Sequence, residues 1–507
     1  INLGLFIGLL IVKVKEGLFF MSDQGGREPS LIDALIPVIT LVSLLALSVY
    51  LYGNNSSSGA NQIALIFSGC VALLVGWKNG YKWSDIDKAI RQGIANTFGA
   101  MLILLTVGML IGSWILSGTV PAMIYYGLQI INPNIFYFTA CILCAVASIS
   151  TGSSWTVAGT VGIGLMGISS GLGLSPEITA GAIISGAYFG DKMSPLSDTT
   201  NLAPAVAGTD LFTHIRHMTW TTFPSISIAL LLYLIIGLYN DVENIQVDLG
   251  DRLAILESSF NISIYLLFPL VVVFYMAMKK NPAFPSLVVG TVAGIVCAII
   301  FQQETILRVA ENASRGDLLN VIDGIWRSLF AGYTADTGNL EMDDLLTRGG
   351  MSSMLNTIWL IMCAITFGSI LERLGLLNKL VLGMIRMAHS TGSLILITAL
   401  TCIGVNIVAA DQYISIVLPG RMYRLEFKKR NLAAKNLSRV LEDTGTVTSV
   451  LIPWNTCGAF MSGTLGIATF AYAPYCFFNI ISPCISVLYG FYNIKIAAID
   501  QNEVLVD

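Results

Sequence analysis

The stretch GDKMSPLSDTTNLAP, residues 190–204, gathers two aspartates, a lysine, two prolines and several hydroxyl side chains in a chain otherwise dominated by Leu, Ile, Val, Ala and Gly. A carboxylate surrounded by hydroxyl and amide oxygens is the ligand set that hard cations prefer, a rule drawn from calcium and magnesium that extends to sodium. Asp198, with Ser194, Ser197, Thr199, Thr200 and Asn201 near it, supplies that set, and Asp198, Thr199 and Asn201 are the expected sodium ligands. A carboxylate in a shielded cavity also has a tunable affinity for protons, so a proton and a metal ion can compete for it. Two plainer readings stand beside this one. Asp191 could pair with its neighbour Lys192, or the whole stretch could be a cytoplasmic loop, although one lysine cannot neutralise two aspartates.

A second group lies about 250 residues further on. Asp411 sits alone between CIGVNIVAA and QYISIVLPG, and Glu442, Asp443, Thr444, Thr446, Thr448, Ser449 and Asn455 surround Pro453. Glu442 borders a basic connector (Arg424, Lys428, Lys429, Arg430, Lys435, Arg439) and is expected to pair with it. Thr151, Ser153, Ser154 and Thr156 are the first-half counterpart of Asp411. Hydroxyls on a helix also bond the preceding turn, so packing and site readings both stand for them. His214 and His217 have a metal-like spacing but flank Arg216 at an expected helix end, which favours interface anchoring. His389 reads as a loop residue, Glu372 and Arg373 as pairing with each other or with the interface, and Cys141 and Cys144 as packing in an apolar helix. No phosphate-binding loop, dinucleotide fingerprint or nucleophile elbow occurs. No cofactor and no enzymatic activity are expected, and nothing suggests nucleic acid.

The elements that position these residues follow from composition. The chain of 507 residues is 55% hydrophobic and 11% charged, with net charge −4, against roughly 25% charged in soluble domains. Segments 31–52, 219–239, 262–278, 283–301, 351–371, 392–410 and 474–494 are long and apolar enough to cross a ~30 Å hydrocarbon core. They run continuously apolar rather than alternating, which disfavours barrel strands. The expected fold is an all-α polytopic membrane protein of about 11–14 transmembrane segments. Pro195 and Pro204, with Gly186, Gly190 and Gly208, interrupt segment 177–217, giving a broken helix or a helix and hairpin with its irregular part near 190–201. Irregular backbone at that depth needs protein or a water-filled cavity to satisfy it.

Lys78, Lys82, Lys88 and Arg91, then Lys279 and Lys280, then the basic connector mark cytoplasmic loops, while the acidic segments 240–257 and 304–348 read as external and both ends as internal. An offset of 256 residues places Asp87 on Asp343, Gly93 on Gly349, Gly112 on Gly368 and Ser113 on Ser369. The charge rule puts the two copies in the membrane from opposite sides, an inverted-topology repeat with broken or re-entrant helices. The resulting division is 1–30 as an N-terminal extension, 31–81 as N-terminal transmembrane helices, 82–240 as the first repeat, 241–303 as an external loop with linking helices, 304–340 as an external loop, 341–495 as the second repeat and 496–507 as a tail. Residues 1–20 precede MSDQGGREPS, an ordinary polar start, and stay outside the fold argument.

GAYFGDKMSPLSDTTNLAPAVAGTDLFTHIRHM (186–218) resembles the signature of the NhaC-type sodium/proton antiporters, a bacterial and archaeal family, and VLEDTGTVTSVLIPWNTCGAF (440–460) is similar to its second block. The resemblance spans most of residues 30–495. It implies an exchanger in the cytoplasmic membrane that takes up protons and extrudes sodium, with Asp191, Ser194, Pro195, Asp198, Thr199, Thr200 and Asn201 in the first block and Asp443, Thr444, Pro453 and Asn455 in the second. The family also includes exchangers of malate and sodium against lactate and protons, and amino-acid carriers. A coupled exchanger of small organic anions or amino acids is therefore the second reading, with Lys192, Asn201 and Asn455 as the pieces of an anion pocket. The partners expected are Na+, H+, the bilayer, an organic anion under the second reading, and a second copy of the chain as a homodimer.

Overall fold

Backbone in hydrocarbon has no water to bond, so apolar segments of this length must satisfy their own amides as helices. The computed structural model describes residues 26–239, 249–310 and 316–499. The expected extension at 1–20, part of the acidic loop at 240–257 and the end of the tail lie outside the described residues. Among those described there are helices, turns and two isolated bridges, with no strand. Eight helices are long and apolar enough to cross a membrane alone, and up to ten if two bent pairs each count as one span.

The helices that frame the site are α1 (Leu31–Tyr52), α2 (Ala60–Lys78), α3 (Trp83–Leu116), α4 (Thr119–Ile130) and α5 (Phe136–Thr151). After α5 come a helical turn Ser154–Val157, a π turn Ala158–Gly162 and α6 (Ile163–Gly171). Then follow α7 (Pro176–Met193), α8 (Asp198–Ala207), α9 (Leu211–Tyr239), α10 (Phe268–Met278), α11 (Ala283–Phe301) and α12 (Asp317–Phe330). The second half has α13 (Leu355–Arg373), α14 (Leu376–Ile385), α15 (Thr391–Ala409), α16 (Gln412–Lys429), α17 (Ala434–Val440) with a π turn Leu441–Thr446, α18 (Thr456–Leu465) and α19 (Phe477–Phe491).

Helices α3 and α13 pack antiparallel. A methyl built on Gly93 would meet Ile365 and Ser369, whereas Gly108 and Gly112 lie against Gly350, whose amide donates to the Gly108 carbonyl at 2.7 Å. These contacts are mirror images at an offset of 257, the step from Gly118 to Gly375, two left-handed glycines (φ 77° and 69°) that follow α3 and α13. Gly93 therefore corresponds to Gly350 and Gly112 to Ser369. The offset of 256 read from residue identities is one short: packing equates positions by what they touch, and single-letter matches do not see that. Beyond α4 the step is 258, as from Gly152 to Ala410 (φ 70° and 56°) and from Gly208 to Gly466 (φ 89° and 74°). Hydrogen bonds follow it: Ser148 Oγ donates to the Ala187 carbonyl at 2.6 Å, and Asn406 Nδ2 to the Gly445 carbonyl at 2.7 Å.

Helices α5 and α7 run parallel, because Gly186 seats on the Cys141 carbonyl and Gly190 on the Ala145 carbonyl, each closer than any Cβ would allow. The chain between them must therefore return to its starting side. It does so at Gly152–Ser153, and the Ser175 amide reaches the Tyr137 hydroxyl near the start of α5 at 3.0 Å. Segment 136–171 is a re-entrant hairpin. Segment 391–429 is its counterpart, with its tip at Ala410–Asp411 and Arg430 donating to the Ala388 and Ser390 carbonyls at 2.6 and 3.1 Å. Pairs α7–α8 and α17–α18 are broken spans, interrupted around Pro195 and Pro453. Their outer half-helices end at Gly208, packed on the Arg424 guanidinium, and at Gly466, beside that of Arg348, where a cation complements the helix dipole.

Candidate ion-binding site

Four interrupted elements bring their ends together at the head of one cavity of about 2150 Å³. Both hairpin tips and both broken spans contribute, so helix N-termini capped by Ser153, Ser197, Asp411 and Asn455 gather there. The cavity runs to a mouth bearing Lys88, Lys280, Arg373, Lys379 and Arg421. That is the lysine-rich face, cytoplasmic by the charge rule.

Asp191, in the last turn of α7, is 8% exposed. Its Oδ2 accepts from the Ser154 amide at 3.0 Å and the Ser154 hydroxyl at 2.6 Å, tying the first broken span to the first hairpin tip. It does not pair with Lys192. Asp198 opens α8 just after the Ser197 cap and is exposed to the cavity. Asp411 caps α16, its Oδ1 accepting from the Ile414 amide at 3.0 Å, and also lines the cavity. Thr199 lines it too and donates to Glu442 Oε1 at 3.0 Å. Asp191, Asp198, Thr199 and Asp411 thus line one cavity, and none of the three aspartates has a cationic partner in an ion pair among the described residues.

The other expected ligands do different work. Ser194 Oγ donates to the Ile149 carbonyl at 2.8 Å, and Thr200 Oγ1 to the carbonyls of Asp191 and Lys192 at 3.2 and 3.1 Å. Asn201 is exposed away from the cavity and gives Nδ2 to the carbonyls of Pro195 and Ser197 at 3.0 and 2.7 Å. These three stabilise the backbone that Pro195 interrupts; of the residues expected to hold sodium, Asp198 and Thr199 line the cavity and Asn201 does not. Thr444 Oγ1 bonds the Val440 carbonyl at 2.6 Å, and Asn455 caps α18 while giving Nδ2 to Asn406 Oδ1 at 3.1 Å.

Asp443 is buried in an ion pair with Lys192, and Thr221 donates to it at 3.1 Å. Lys192 also reaches Ser482 Oγ at 3.2 Å and the Phe478 ring, so its ammonium faces away from the cavity. Glu442 lies in the π turn, fully buried, and forms no ion pair with the basic connector among the described residues; Arg439 instead donates to the Lys495 carbonyl at 3.1 Å. The difference is that Glu442 lies in the interior, where the Thr199 hydroxyl of the first broken span donates to it. His214 and His217 are buried against α17, on Ser438 Oγ at 2.9 Å and Asn436 Oδ1 at 3.2 Å, rather than anchored at an interface. No group of three or more His, Cys, Asp or Glu able to hold a metal ion exists among the described residues, so a cation here would depend on hydroxyl and carbonyl oxygens as well as carboxylates.

Residue types alone missed Gln412, whose Oε1 accepts from Cys457 Sγ at 2.6 Å and Ser449 Oγ at 3.4 Å. At the offset of 258 it stands where Ser154 does, and Ser449 where Asp191 does; the correct register was the signal that could have found it. Trp155, stacked on Phe460 with centroids 4.0 Å apart, floors the cavity at the first hairpin tip.

Residues 186–494 match the profile of the Na+/H+ antiporter family. The chain is 40% identical over 435 residues, 86% of its length and 91% of the relative's, to the Na(+)/H(+) antiporter NhaC of Alkalihalophilus pseudofirmus. It is 34% identical to the malate-2H(+)/Na(+)-lactate antiporter of Bacillus subtilis, covering 92% of this chain and 95% of that one. It is 36% identical to the arginine/ornithine antiporter ArcD of Halobacterium salinarum, covering 94% and 95%. With its helical spans, interrupted elements and these likenesses over nearly the whole length, this multi-pass membrane protein belongs to the Na+/H+ antiporter family.

Proposed function

We propose that the protein exchanges Na+ for H+ across the membrane, with Asp191, Asp198 and Asp411 as the carboxylates for which the two cations compete. The observation that carries this reading is that all three line one cavity without cationic partners among the described residues. An unpaired carboxylate at the centre of a membrane costs at least ~2.5–3.5 kcal/mol, which favours a bound cation or a proton there. Exchange then needs only that the site be loaded by one or the other and be reached from each side in turn. Proteoliposomes with an acid interior and a fluorescent pH probe test it: external sodium should relieve the quench. In folded, inserted Asp198→Asn protein the response should be lost, and full sodium-coupled activity there would remove Asp198 from the mechanism.

A second reading, exchange of a small organic ion together with the cations, is favoured by the cavity's volume and by the lysines and arginines at its mouth. The anion pieces expected at Lys192, Asn201 and Asn455 do not support it, being committed to Asp443, to backbone carbonyls and to a helix cap. Arg421 and Lys379 take their place. A response that requires malate, lactate or an amino acid in addition to sodium would establish this reading over the first.

A further inference from the structure

On the side away from the cavity mouth, two glycines of the interrupted elements lie close against neighbouring helices. A methyl on Gly159, in the π turn of the first hairpin, would stand 3.3 Å from Val107 of α3. One on Gly463 of α18 would stand 2.7 Å from Thr357 Oγ1 and 3.6 Å from Met354 Sδ, at and just before the start of α13. On the cytoplasmic side the corresponding elements are parted. Thr97, Ala100 and Val417 line the cavity, and Ala205 on α8 is exposed.

The two registers connect these surfaces. The step of 258 carries Gly463 back to Ala205 and Gly159 forward to Val417. The step of 257 carries Thr357 back to Ala100, Met354 back to Thr97 and Val107 forward to Ala364. Ala205 and Ala100 are again small residues, as close seating of one helix on another requires, whereas Ala364 is already fully buried and does not line the cavity. We infer that when the protein opens to the opposite side, Ala205 of α8 seats on Thr97 and Ala100 of α3. The cytoplasmic cavity then closes by the mirror image of the Gly463 contact. This inference rests on the exchange reading, because a chain that opened to one side only would have no use for a second seal.

Paired cysteines test it in a background with the exposed Cys70 and Cys484 replaced by serine. The control pair, Gly463→Cys with Thr357→Cys, should cross-link in the conformation described here. The test pair, Ala205→Cys with Ala100→Cys, should cross-link with a short cleavable thiol reagent in vesicles under a sodium or proton gradient. Transport should then fall by more than about tenfold, since one of the two states is removed, and return on cleavage. Separately, Ala205→Trp should still bind sodium from the cytoplasmic side, read as sodium-dependent thermal protection, yet lose exchange. Absence of the test cross-link while the wild type exchanges, an undiminished rate in the cross-linked protein, or wild-type exchange by folded Ala205→Trp would each overturn the proposal. A cross-link in a protein whose wild type moves no protons with sodium would leave the seal standing and remove the exchange reading instead.

Discussion

Lys192 and Asp191 are neighbours in sequence with opposite surroundings: one is locked into a buried pair with Asp443, the other held by a serine at the head of the cavity. Breaking a buried pair leaves an uncompensated charge and costs about 3–5 kcal/mol, whereas replacing both partners with neutral groups is often nearly neutral. Lys192→Met and Asp443→Leu alone should therefore each lower thermal stability in detergent sharply, and the double variant should recover most of it. If the pair is a strut that holds Asp191 in place, the double variant also keeps sodium-dependent proton movement; if Asp443 binds the transported ion, it stays inactive however well it folds. Ser154→Ala removes a hydroxyl from a charged acceptor, a bond worth about 1.5–3 kcal/mol. Its expected effect is a half-saturating sodium concentration changed by roughly tenfold or more, with little loss of protein from the membrane. Charged residues and their clustering were legible in the sequence, including Asp191, Asp198 and Asp411. The division of labour among the hydroxyls and amides was not. Ser194, Thr200, Asn201 and Thr444 have the chemistry of ligands, but interrupted helices leave carbonyls that need donors, and residue type cannot say which need is met.

At the level of elements the two hairpin tips invite a direct comparison. Both place a residue in the left-handed region, Gly152 at φ 70° and Ala410 at φ 56°. A side chain there costs roughly 1–2 kcal/mol. Ala410→Gly should relieve that strain and raise stability by up to about 1 kcal/mol after the glycine's larger entropy loss. Gly152→Ala should do the reverse and more, since its methyl would lie 2.6 Å from Leu196 Cβ and 3.0 Å from the Ser197 amide. Thermal unfolding in detergent reads both, and equal effects of one sign would contradict the comparison. The broken span near 190–201 was legible because Pro195 and the flanking glycines cannot continue a helix. The hairpins were not. Segment 392–410 reads as an ordinary apolar span, and the return of the chain in each hairpin is fixed by tertiary contacts no local pattern encodes, Gly186 and Gly190 seated on α5 in the first and Arg430 on the Ala388 and Ser390 carbonyls in the second.

Across the whole molecule, the sequence carried the helical class, because hydropathy acts over whole segments. The repeat's register depended on packing at α3 and α13, where one glycine can stand for a serine in the mirror position. The cavity also has an electrical consequence. A water-filled cavity open on the face the charge rule makes cytoplasmic would carry that side's potential to the head of the site, so the membrane voltage would fall mainly across the seal inferred near Gly159 and Gly463. Each unit charge crossing that seal meets about 2.3 kcal/mol for every 100 mV. Turnover should therefore depend steeply on an imposed potassium-diffusion potential if a net charge crosses with the site, and hardly at all if the charges carried each way are equal. Measuring exchange at clamped voltages thus counts the charge moved per cycle.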